Sequence, residues 1–342
     1  MNLPSGGVDK VSGTIRTRPQ DFRVDEALGF APAGAGEHLL VRLEKTGANT
    51  AWVAQQLARC YGVGRRDVAF AGRKDRHAVT RQWYSVWLPG RQAPPAVQLA
   101  IEGVEVLETV RHDRKLRRGA LAYNQFEITV RELHDPEQLL EQRLQAISND
   151  GFPNYFGSQR FGHDGHNLQL ARRLFAGSAK LRRNQRSMAL SAARAAIFNA
   201  VLDRRIADDS WNSALAGDAL ILDGSGSFFS CETPDQEIAG RLQAGDIHVS
   251  GPLWGRGELP VCGAVAALER ETAEQFSDLA AGLEHNRLRQ ERRALRILPS
   301  DMAWEITDEL LLRFRLPSGV YATSLLAAAM TVHDAASAQR HS

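Results

Sequence analysis

The 342-residue sequence predicts a mixed α and β fold, with strands concentrated towards both ends and helices in the middle. Apolar residues alternate at 38–45 and 120–131, which predicts strands because successive strand side chains point to opposite faces. Residues 187–206 place apolar residues at helical spacing and contain little β-favouring sequence. The β character returns at 301–315. These patterns predict the class α+β.

The elements follow from local signals along the chain. Asn49 or Thr50 can cap a helix that runs to about Tyr61, because their side-chain oxygens accept hydrogen bonds from first-turn amides. Glycines at 62 and 64 then end this helix. The charged stretch 272–295 predicts one long helix, and residues 334–342 are predicted to be disordered. Further strands are predicted at 13–24, 83–87 and 104–110, and further helices at 136–149, 167–175 and 322–331.

Composition excludes several classes of protein. The hydrophobic fraction of 43% and charged fraction of 24% are ordinary for a globular protein. No apolar run approaches the roughly 20 residues that span a bilayer, and no secretory h-region is visible near the start, so we expect a cytoplasmic protein without membrane contact. The three cysteines form no CxxC pair, which argues against a zinc knuckle or a disulfide framework.

Basic residues are clustered although the net charge is only +2. Clusters lie at 111–118, 172–186 and 287–296, and separated basic patches can follow a phosphate backbone. The first cluster, with five Lys/Arg residues and one acid, is the best single candidate for contact with an RNA backbone, and a solvated basic loop is the alternative interpretation. Its candidates for contact with an RNA backbone are Arg114, Lys115, Arg117 and Arg118.

The stretch from Phe70 to Tyr84 predicts a short apolar element, a tight loop and then a strand. Asp75 lies at the loop tip, where a reactive side chain can reach a cleft. Neighbouring cations, at positions 73, 74, 76 and 81, are expected to lower the pKa of this carboxyl group. A charged carboxylate in a basic setting suits nucleophilic work on an anionic substrate, and a structural Lys-Asp pair on a solvated turn is the alternative. His77 is a weaker acid/base candidate.

Four motifs occur in order along the chain. They are Gly72-Arg-Lys-Asp75 followed by Ala78, Thr80 and Gln82; Arg18-Pro-Gln-Asp-Phe-Arg-Val-Asp-Glu26; Asn154-Tyr-Phe-Gly-Ser-Gln-Arg-Phe-Gly162; and Leu316-Pro-Ser-Gly-Val-Tyr-Ala-Thr-Ser324. Together they resemble the TruD family of tRNA pseudouridine synthases. The resemblance spans about residues 12 to 326, and several ordered motifs are more specific than one short pattern.

The resemblance implies a pseudouridine-synthase core with an antiparallel, bifurcated sheet flanked by helices. It also implies that a mostly helical TRUD domain interrupts this core. We therefore predict a discontinuous catalytic domain at 1–150 and 298–342, with the insertion at 151–297. The motif at 154–162 opens the insertion, where Gln159 or Arg160 is a candidate substrate contact and an aromatic hinge is the alternative.

The resemblance further implies the site residues. Asp75 is the predicted catalytic residue. The predicted substrate-binding residues are Arg16, Phe22, Lys74, Asn124, Phe126 and Tyr321. Aromatic rings can stack on an extruded base, and the Asn124 amide can bond to the edge of uracil. Core packing is the alternative role for Phe22.

The implied reaction isomerises uridine to pseudouridine in tRNA, at uridine position 13. It needs no cofactor, metal ion or nucleotide, and the chain has neither zinc-ligand spacing nor a dinucleotide fingerprint. Asp75 can attack C1′ or assist uracil departure through a glycal, and the sequence leaves both routes open. A monomer is favoured.

Two other functions remain open at this point. A non-catalytic RNA-binding or RNA-folding protein would keep the basic patches without needing Asp75. A hydrolase with paired carboxylates would combine Asp75 with Asp67 or Asp21.

Overall fold

The structure, a computed structural model, describes residues 11–92, 100–117, 119–135 and 137–338. The strands of these residues are, in chain order, β1 (Ser12–Ile15), β2 (Phe22–Leu28), β3 (His38–Lys45), β4 (Val68–Phe70), β5 (Val79–Trp87), β6 (Val104–His112), β7 (Leu121–His134), β8 (Phe152–Pro153), β9 (Asp218–Leu222), β10 (Phe228–Cys231), β11 (Ile247–Leu253), β12 (Glu291–Ala294), β13 (Arg296–Ile297), β14 (Ser300–Ile306), β15 (Leu310–Pro317) and β16 (Thr331–Asp334). The helices are α1 (Thr50–Cys60), α2 (Leu139–Asp150), α3 (Ser158–Phe161), α4 (His166–Phe175), α5 (Arg183–Ala207), α6 (Gln236–Gln243), α7 (Gly263–Glu274), α8 (Ser277–His285), α9 (Ala322–Ala329) and α10 (Ala335–Ala338).

The described residues divide into two compact units. The large-sheet unit contains 11–144, 299–322 and 329–338, and the middle unit contains 145–298 and 323–328. The assignment of a catalytic domain to 1–150 and 298–342, interrupted by an insertion, stays a prediction. No helix of the described residues is both long enough and apolar enough to cross a membrane.

One mixed sheet organises the large-sheet unit. Its strands follow the order β14-β15-β7-β2-β5-β3-β6, while β1 pairs with β7 and β16, and β4 pairs with β5. Neighbours are antiparallel except for two parallel pairs, β2 with β5 and β1 with β16. The predicted α+β class is therefore confirmed, with a sheet that is mostly rather than wholly antiparallel.

The two faces of this sheet bury different residues. Val41 and Tyr84 lie opposite each other on the face against which α1 packs its apolar side. Val24 belongs to the same face, because it is paired with Thr80 on β5 and with Phe126 on β7. The other face carries a second apolar cluster, formed by Leu40, Ala71, Trp83, Leu116 and Leu121.

The middle unit packs its long helix α5 against the sheet β10-β9-β11-β12. The aromatic motif at 154–162 is part of this packing. Asn154 Nδ2 donates to the Ala294 carbonyl at 2.8 Å, and the Arg293 guanidinium lies 4.2 Å from the Phe156 ring centroid. Arg160 donates to Ser191 Oγ at 3.1 Å. These contacts place the motif in the packing of the middle unit, and a role for Gln159 or Arg160 in substrate binding stays a prediction.

The prediction of one helix over 272–295 is wrong. Two helices, α7 and α8, end at Glu274 and His285, and Arg287 adopts a left-handed φ of 59° that no helix tolerates. The chain then forms β12, where the fully buried Arg292 makes a two-point ion pair with Glu269 at 2.9 and 2.8 Å. The local charge pattern does not indicate this burial, because the partner of Arg292 lies 23 residues away.

The predicted disorder at 334–342 is wrong for its described part. Asp334 ends β16, which pairs in parallel with β1, and α10 follows. The pairing of two distant chain segments supplies the backbone hydrogen bonds that the local sequence does not announce. Residues 339–342 lie outside the described residues.

Candidate active site

The central motif folds as predicted, with a loop between β4 and β5 that carries Asp75. Residues 71–78 form this loop, and the strand-loop-strand prediction is confirmed. The loop begins near the core of the large-sheet unit, since Ala71 is buried, and its exposed residues include Arg73 and Arg76. Asp75 is therefore held between a buried anchor and the surface.

Three buried polar side chains form hydrogen bonds to the backbone of this loop. Gln82 Nε2 donates to the Gly72 carbonyl at 2.7 Å, and Thr50 Oγ1 accepts the Lys74 amide at 2.9 Å. Lys45 Nζ donates to the Asp75 carbonyl at 3.0 Å. Each anchor comes from a different element, so the loop is fixed relative to β5, α1 and β3 together. Such support holds a reactive group in one geometry.

Lys45 is the most buried cation near the site, with 1% of its surface exposed. Its ammonium also donates to the Ala48 carbonyl at 2.8 Å. Burial lowers the pKa of Lys45 from the usual 10.5 to about 8, because the charged form loses hydration. Asp75 and Glu26 oppose this change, and Lys74 adds to it.

The Asp75 carboxylate lies between an amide and a guanidinium. Its Oδ1 accepts the backbone amide of His77 at 3.0 Å, and its Oδ2 lies 3.6 Å from Arg16 Nη2. The side chain is 31% exposed, so a substrate can approach it. The His77 ring accepts from Arg76 Nε at 3.1 Å, which favours the structural role for this histidine.

Arg16 connects Asp75 to the aromatic group of the site. Its Nη1 donates to Asp334 Oδ2 at 2.7 Å, and its guanidinium lies 4.2 Å from the Phe22 ring centroid. The backbone of Arg16 has a φ of 56°, a conformation that costs a non-glycine residue about 1–2 kcal/mol. This strained residue after β1 therefore directs a 7% exposed guanidinium at Asp75.

The predicted aromatic residues are packed against one another. The Phe22 ring meets Phe126 edge-on at 6.3 Å, and Phe126 stacks on Phe314 at 5.2 Å with an interplanar angle of 20°. Phe22 and Phe126 are only 4% and 6% exposed, so little ring surface is open to a base. Tyr321, which follows the end of β15, is 37% exposed.

Asn124 lies opposite Glu26 in the sheet, and Glu26 in turn pairs with Lys74. It is paired with Glu26 on β2 and Leu316 on β15, and Glu26 Oε1 lies 2.5 Å from Lys74 Nζ. Burial raises the pKa of Glu26, and the Lys74 charge opposes that rise. Asn124 is 6% exposed, and its Oδ1 has no hydrogen-bond partner among the described residues. An unpaired buried acceptor is costly unless a ligand satisfies it.

The basic loop after β6 lies apart from these residues. Leu116 anchors it to the opposite face of the sheet, beside Leu40 and Trp83. Arg114 is paired with Asp113 at 3.2 Å, and Lys115 donates to the Arg66 carbonyl at 2.6 Å. Arg117 is exposed. Arg118, the fourth candidate, lies outside the described residues.

The described residues contain no group of three or more His, Cys, Asp or Glu side chains that could hold a metal ion. Asp75 and Arg16 instead offer a carboxylate beside a cation, and Asn124, opposite Glu26 in the sheet, offers an amide edge. This set can act on a sugar carbon and hold a neutral base. Lys45, Thr50 and Asp334 were missed by the sequence analysis, because a strand-end lysine, a helix cap and a distant aspartate carry no signal of their contacts.

Comparisons with known proteins agree with the four motifs. The family model described as tRNA pseudouridine synthase D (TruD) matches residues 5–178 and 166–328. The chain is similar to a tRNA pseudouridine synthase D of Methylococcus capsulatus, 49% identical over 92% of this chain and 90% of that protein. It is also similar to one of Aeromonas hydrophila, 44% identical over 96% and 94%. A crystal structure of a putative TruD from Methanosarcina mazei superposes with a TM-score of 0.73 at 20% identity, covering 96% of each chain, which shows the shared fold.

Proposed function

Because this chain belongs to the tRNA pseudouridine synthase D family and isomerises uridine to pseudouridine in tRNA, we propose that Asp75 is its catalytic carboxylate. The observation that carries this proposal is the loop geometry. Three buried side chains fix the backbone of the loop, and Arg16 holds a positive charge 3.6 Å from the Asp75 carboxylate.

The reaction defines what the site must do. The N1–C1′ bond breaks, the uracil turns, and a C5–C1′ bond forms. The proton on C5 is then lost and N1 gains a proton, so the net change is an isomerisation. Asp75 can form a bond to C1′ as uracil departs, or it can take a proton from the sugar as a glycal forms. Both routes need a carboxylate held at a fixed distance from the sugar.

The uracil must be held while it turns. The unpaired Asn124 Oδ1 can accept the uracil N3–H, and its amide hydrogens can donate to a uracil oxygen. Tyr321 is the exposed aromatic candidate for stacking, while Phe22 and Phe126 are buried and pack against each other. Lys74 precedes Asp75 in the chain, and its ammonium pairs with the Glu26 carboxylate.

The remaining assignments follow from the family. We propose uridine 13 as the target position and the cytoplasm as the location, because the substrate is tRNA. We propose a monomer as the working form. Exposed Arg114 and Arg117, together with Lys115 and Arg118, stay candidates for contact with the RNA backbone.

The test compares wild type with Asp75→Asn on an unmodified tRNA transcript. Pseudouridine is mapped by carbodiimide labelling and primer extension, and release of tritium from [5-³H]uridine measures the rate. We expect the rate to fall by about 1,000-fold or more, while tRNA binding changes little, because the variant keeps the size of the side chain. Asp67→Asn is the matched control in the same region.

The two rival functions predict other outcomes. Asp21 makes a two-point ion pair with Arg131, and Asp67 Oδ2 accepts the Gly64 amide at 3.0 Å, so both carboxylates have structural partners. A paired-carboxylate hydrolase would nevertheless lose activity with either Asp67→Asn or Asp21→Asn and would release a free base or sugar. A non-catalytic RNA-binding protein would bind tRNA and form no pseudouridine, whether residue 75 is Asp or Asn. Equal rates for wild type and Asp75→Asn would overturn the assignment of Asp75.

A further inference from the structure

A cleft of about 640 Å³ opens beside the Asp75 loop in the large-sheet unit. Its wall includes Lys74, the residue before Asp75, and Thr50, whose hydroxyl accepts the Lys74 amide at 2.9 Å. The volume falls within the 300–1,000 Å³ typical of ligand pockets. The cleft therefore begins one residue from the proposed catalytic carboxylate, and no step of the proposed reaction uses it.

The charged residues in the wall of the cleft are all cations. They are Arg65, Arg73 and Lys74, and no carboxylate lines it. A second cleft of about 350 Å³ in the same unit has the opposite character, with Asp25, Glu26 and Glu108 beside a single arginine. The cationic lining of the first cleft attracts an anion, whereas the acidic lining of the second cleft repels one.

One of the cations is held in place before any ligand arrives. Arg65 Nη1 donates to the Val68 carbonyl at 3.1 Å, and its guanidinium lies 5.8 Å from the Phe70 ring centroid. Arg73 is exposed on the loop. The first turn of α1 contains no acidic residue and also lines the cleft. A fixed guanidinium binds phosphate with less loss of side-chain freedom than a mobile one.

The cleft also contains an unusually exposed aromatic ring. Trp52 is 41% exposed and lines the same wall as the cations. An exposed indole beside guanidinium groups is the combination by which proteins bind single-stranded nucleotides, with the base stacked and the phosphate paired. Extrusion of a uridine leaves its neighbour without a stacking partner.

We propose that this cleft binds the nucleotide next to the extruded uridine in the tRNA strand. Trp52 stacks on its base, while Arg65 and Arg73 pair with its phosphate. This inference rests on the proposed function, because it uses Asp75 to place the target uridine. It adds a second RNA subsite beside the loop that carries Asp75.

Binding of a tRNA transcript to the full-length protein, measured by fluorescence anisotropy in the Asp75→Asn background, tests this subsite over 50–250 mM KCl. Trp52→Ala should weaken binding by about 5- to 150-fold without changing the salt slope, since loss of one stacked base has this magnitude. Arg73→Ala should reduce the slope of log K against log salt by about 0.7–0.9, the value for one lost phosphate contact. Trp52→Phe and Arg73→Lys should largely restore affinity and slope, respectively.

The matched controls are Trp87→Ala, an exposed tryptophan on β5, and Arg270→Ala, an exposed arginine on α7. Both should bind as the parent does. With the catalytic carboxylate present, Trp52→Ala should raise KM and leave kcat unchanged. Parent-like affinity and salt slope for both Trp52→Ala and Arg73→Ala would overturn the subsite. If the wild-type protein formed no pseudouridine while these binding changes appeared, the proposed reaction would fail and the RNA subsite would stand.

Discussion

Replacing Lys45 with methionine tests how the Asp75 loop is supported. The substitution keeps an unbranched side chain as far as Cε and removes the ammonium that donates to the Asp75 and Ala48 carbonyls. We expect kcat to fall by about 10- to 100-fold with little change in KM, because a small displacement of a reacting group costs rate rather than binding. The substitution also changes how the free energy of unfolding depends on pH, because burial lowers the pKa of Lys45.

The pKa of Lys45 is about 8 in the folded protein and near 10.5 when unfolded. The unfolded chain therefore binds more protons between these values, so this residue makes the protein more stable as pH rises through that window. Below pH 8 the cost of burying the charged ammonium is present in full, and it amounts to about 3 kcal/mol. Between pH 7 and pH 9.5 about 2 kcal/mol of that cost is relieved. Lys45→Met lacks this relief.

The assay is urea unfolding of wild type and Lys45→Met at pH 7 and at pH 9.5. Relative to the variant, wild type should gain about 2 kcal/mol in free energy of unfolding between the two pH values. Taking the difference between the two proteins cancels the titration of groups that they share. Lys180→Met, which removes an exposed lysine, should track wild type at both pH values.

Two results would refute this reasoning. A constant difference in stability between wild type and Lys45→Met from pH 7 to pH 9.5 would mean that the ammonium does not lose its proton near pH 8. A kcat equal to that of wild type would mean that the hydrogen bond to the Asp75 carbonyl does not position the carboxylate.

Two of three further predictions compare matched sites within the chain. Gly282→Ala places a methyl group against a phenylalanine ring and should destabilise the protein by about 1–3 kcal/mol, whereas Gly240→Ala meets nothing and should stabilise it by about 0.5–1 kcal/mol in thermal unfolding. Asp218→Ala leaves the buried Arg205 guanidinium without its carboxylate partner and should lower the free energy of unfolding by about 3–5 kcal/mol in urea. Asp278→Ala breaks an exposed pair with Arg172 and should lower it by less than about 1 kcal/mol. Asn124→Leu should lower kcat/KM by about 5- to 150-fold without loss of thermal stability, since it removes an unpaired buried acceptor.

Each comparison has an outcome against it. Equal thermal shifts for Gly282→Ala and Gly240→Ala would show that the neighbouring ring moves aside freely. Similar losses for Asp218→Ala and Asp278→Ala would mean that the first pair is hydrated. Retained kcat/KM for Asn124→Leu would remove the asparagine from the contacts with uracil.

The sequence by itself determined the parts that depend on neighbours in the chain. Period-two alternation defined β3 at 38–45, because the side chains of a strand alternate between its faces. Asn49 and the glycines after α1 marked both of its ends within a residue or two, although the predicted capping hydrogen bond is absent: Asn49 makes none, and Thr50 Oγ1 accepts the Lys74 amide instead. The motif around Asp75 predicted a loop between strands, since its glycine and charged residues cannot continue either strand. Family membership also followed, because it depends on residue identity and order.

The tertiary structure decided what depends on distant partners. Arg16 bonds to Asp334 across 318 positions, and its left-handed backbone places the guanidinium beside Asp75. Lys45 supports the loop across 30 positions, yet a lysine at the end of a strand usually lies in water. Arg292 is buried against Glu269 in a stretch that the charge pattern assigned to one long helix. In each case a charge enters the interior only because a partner from another element meets it, and local sequence carries no record of that meeting.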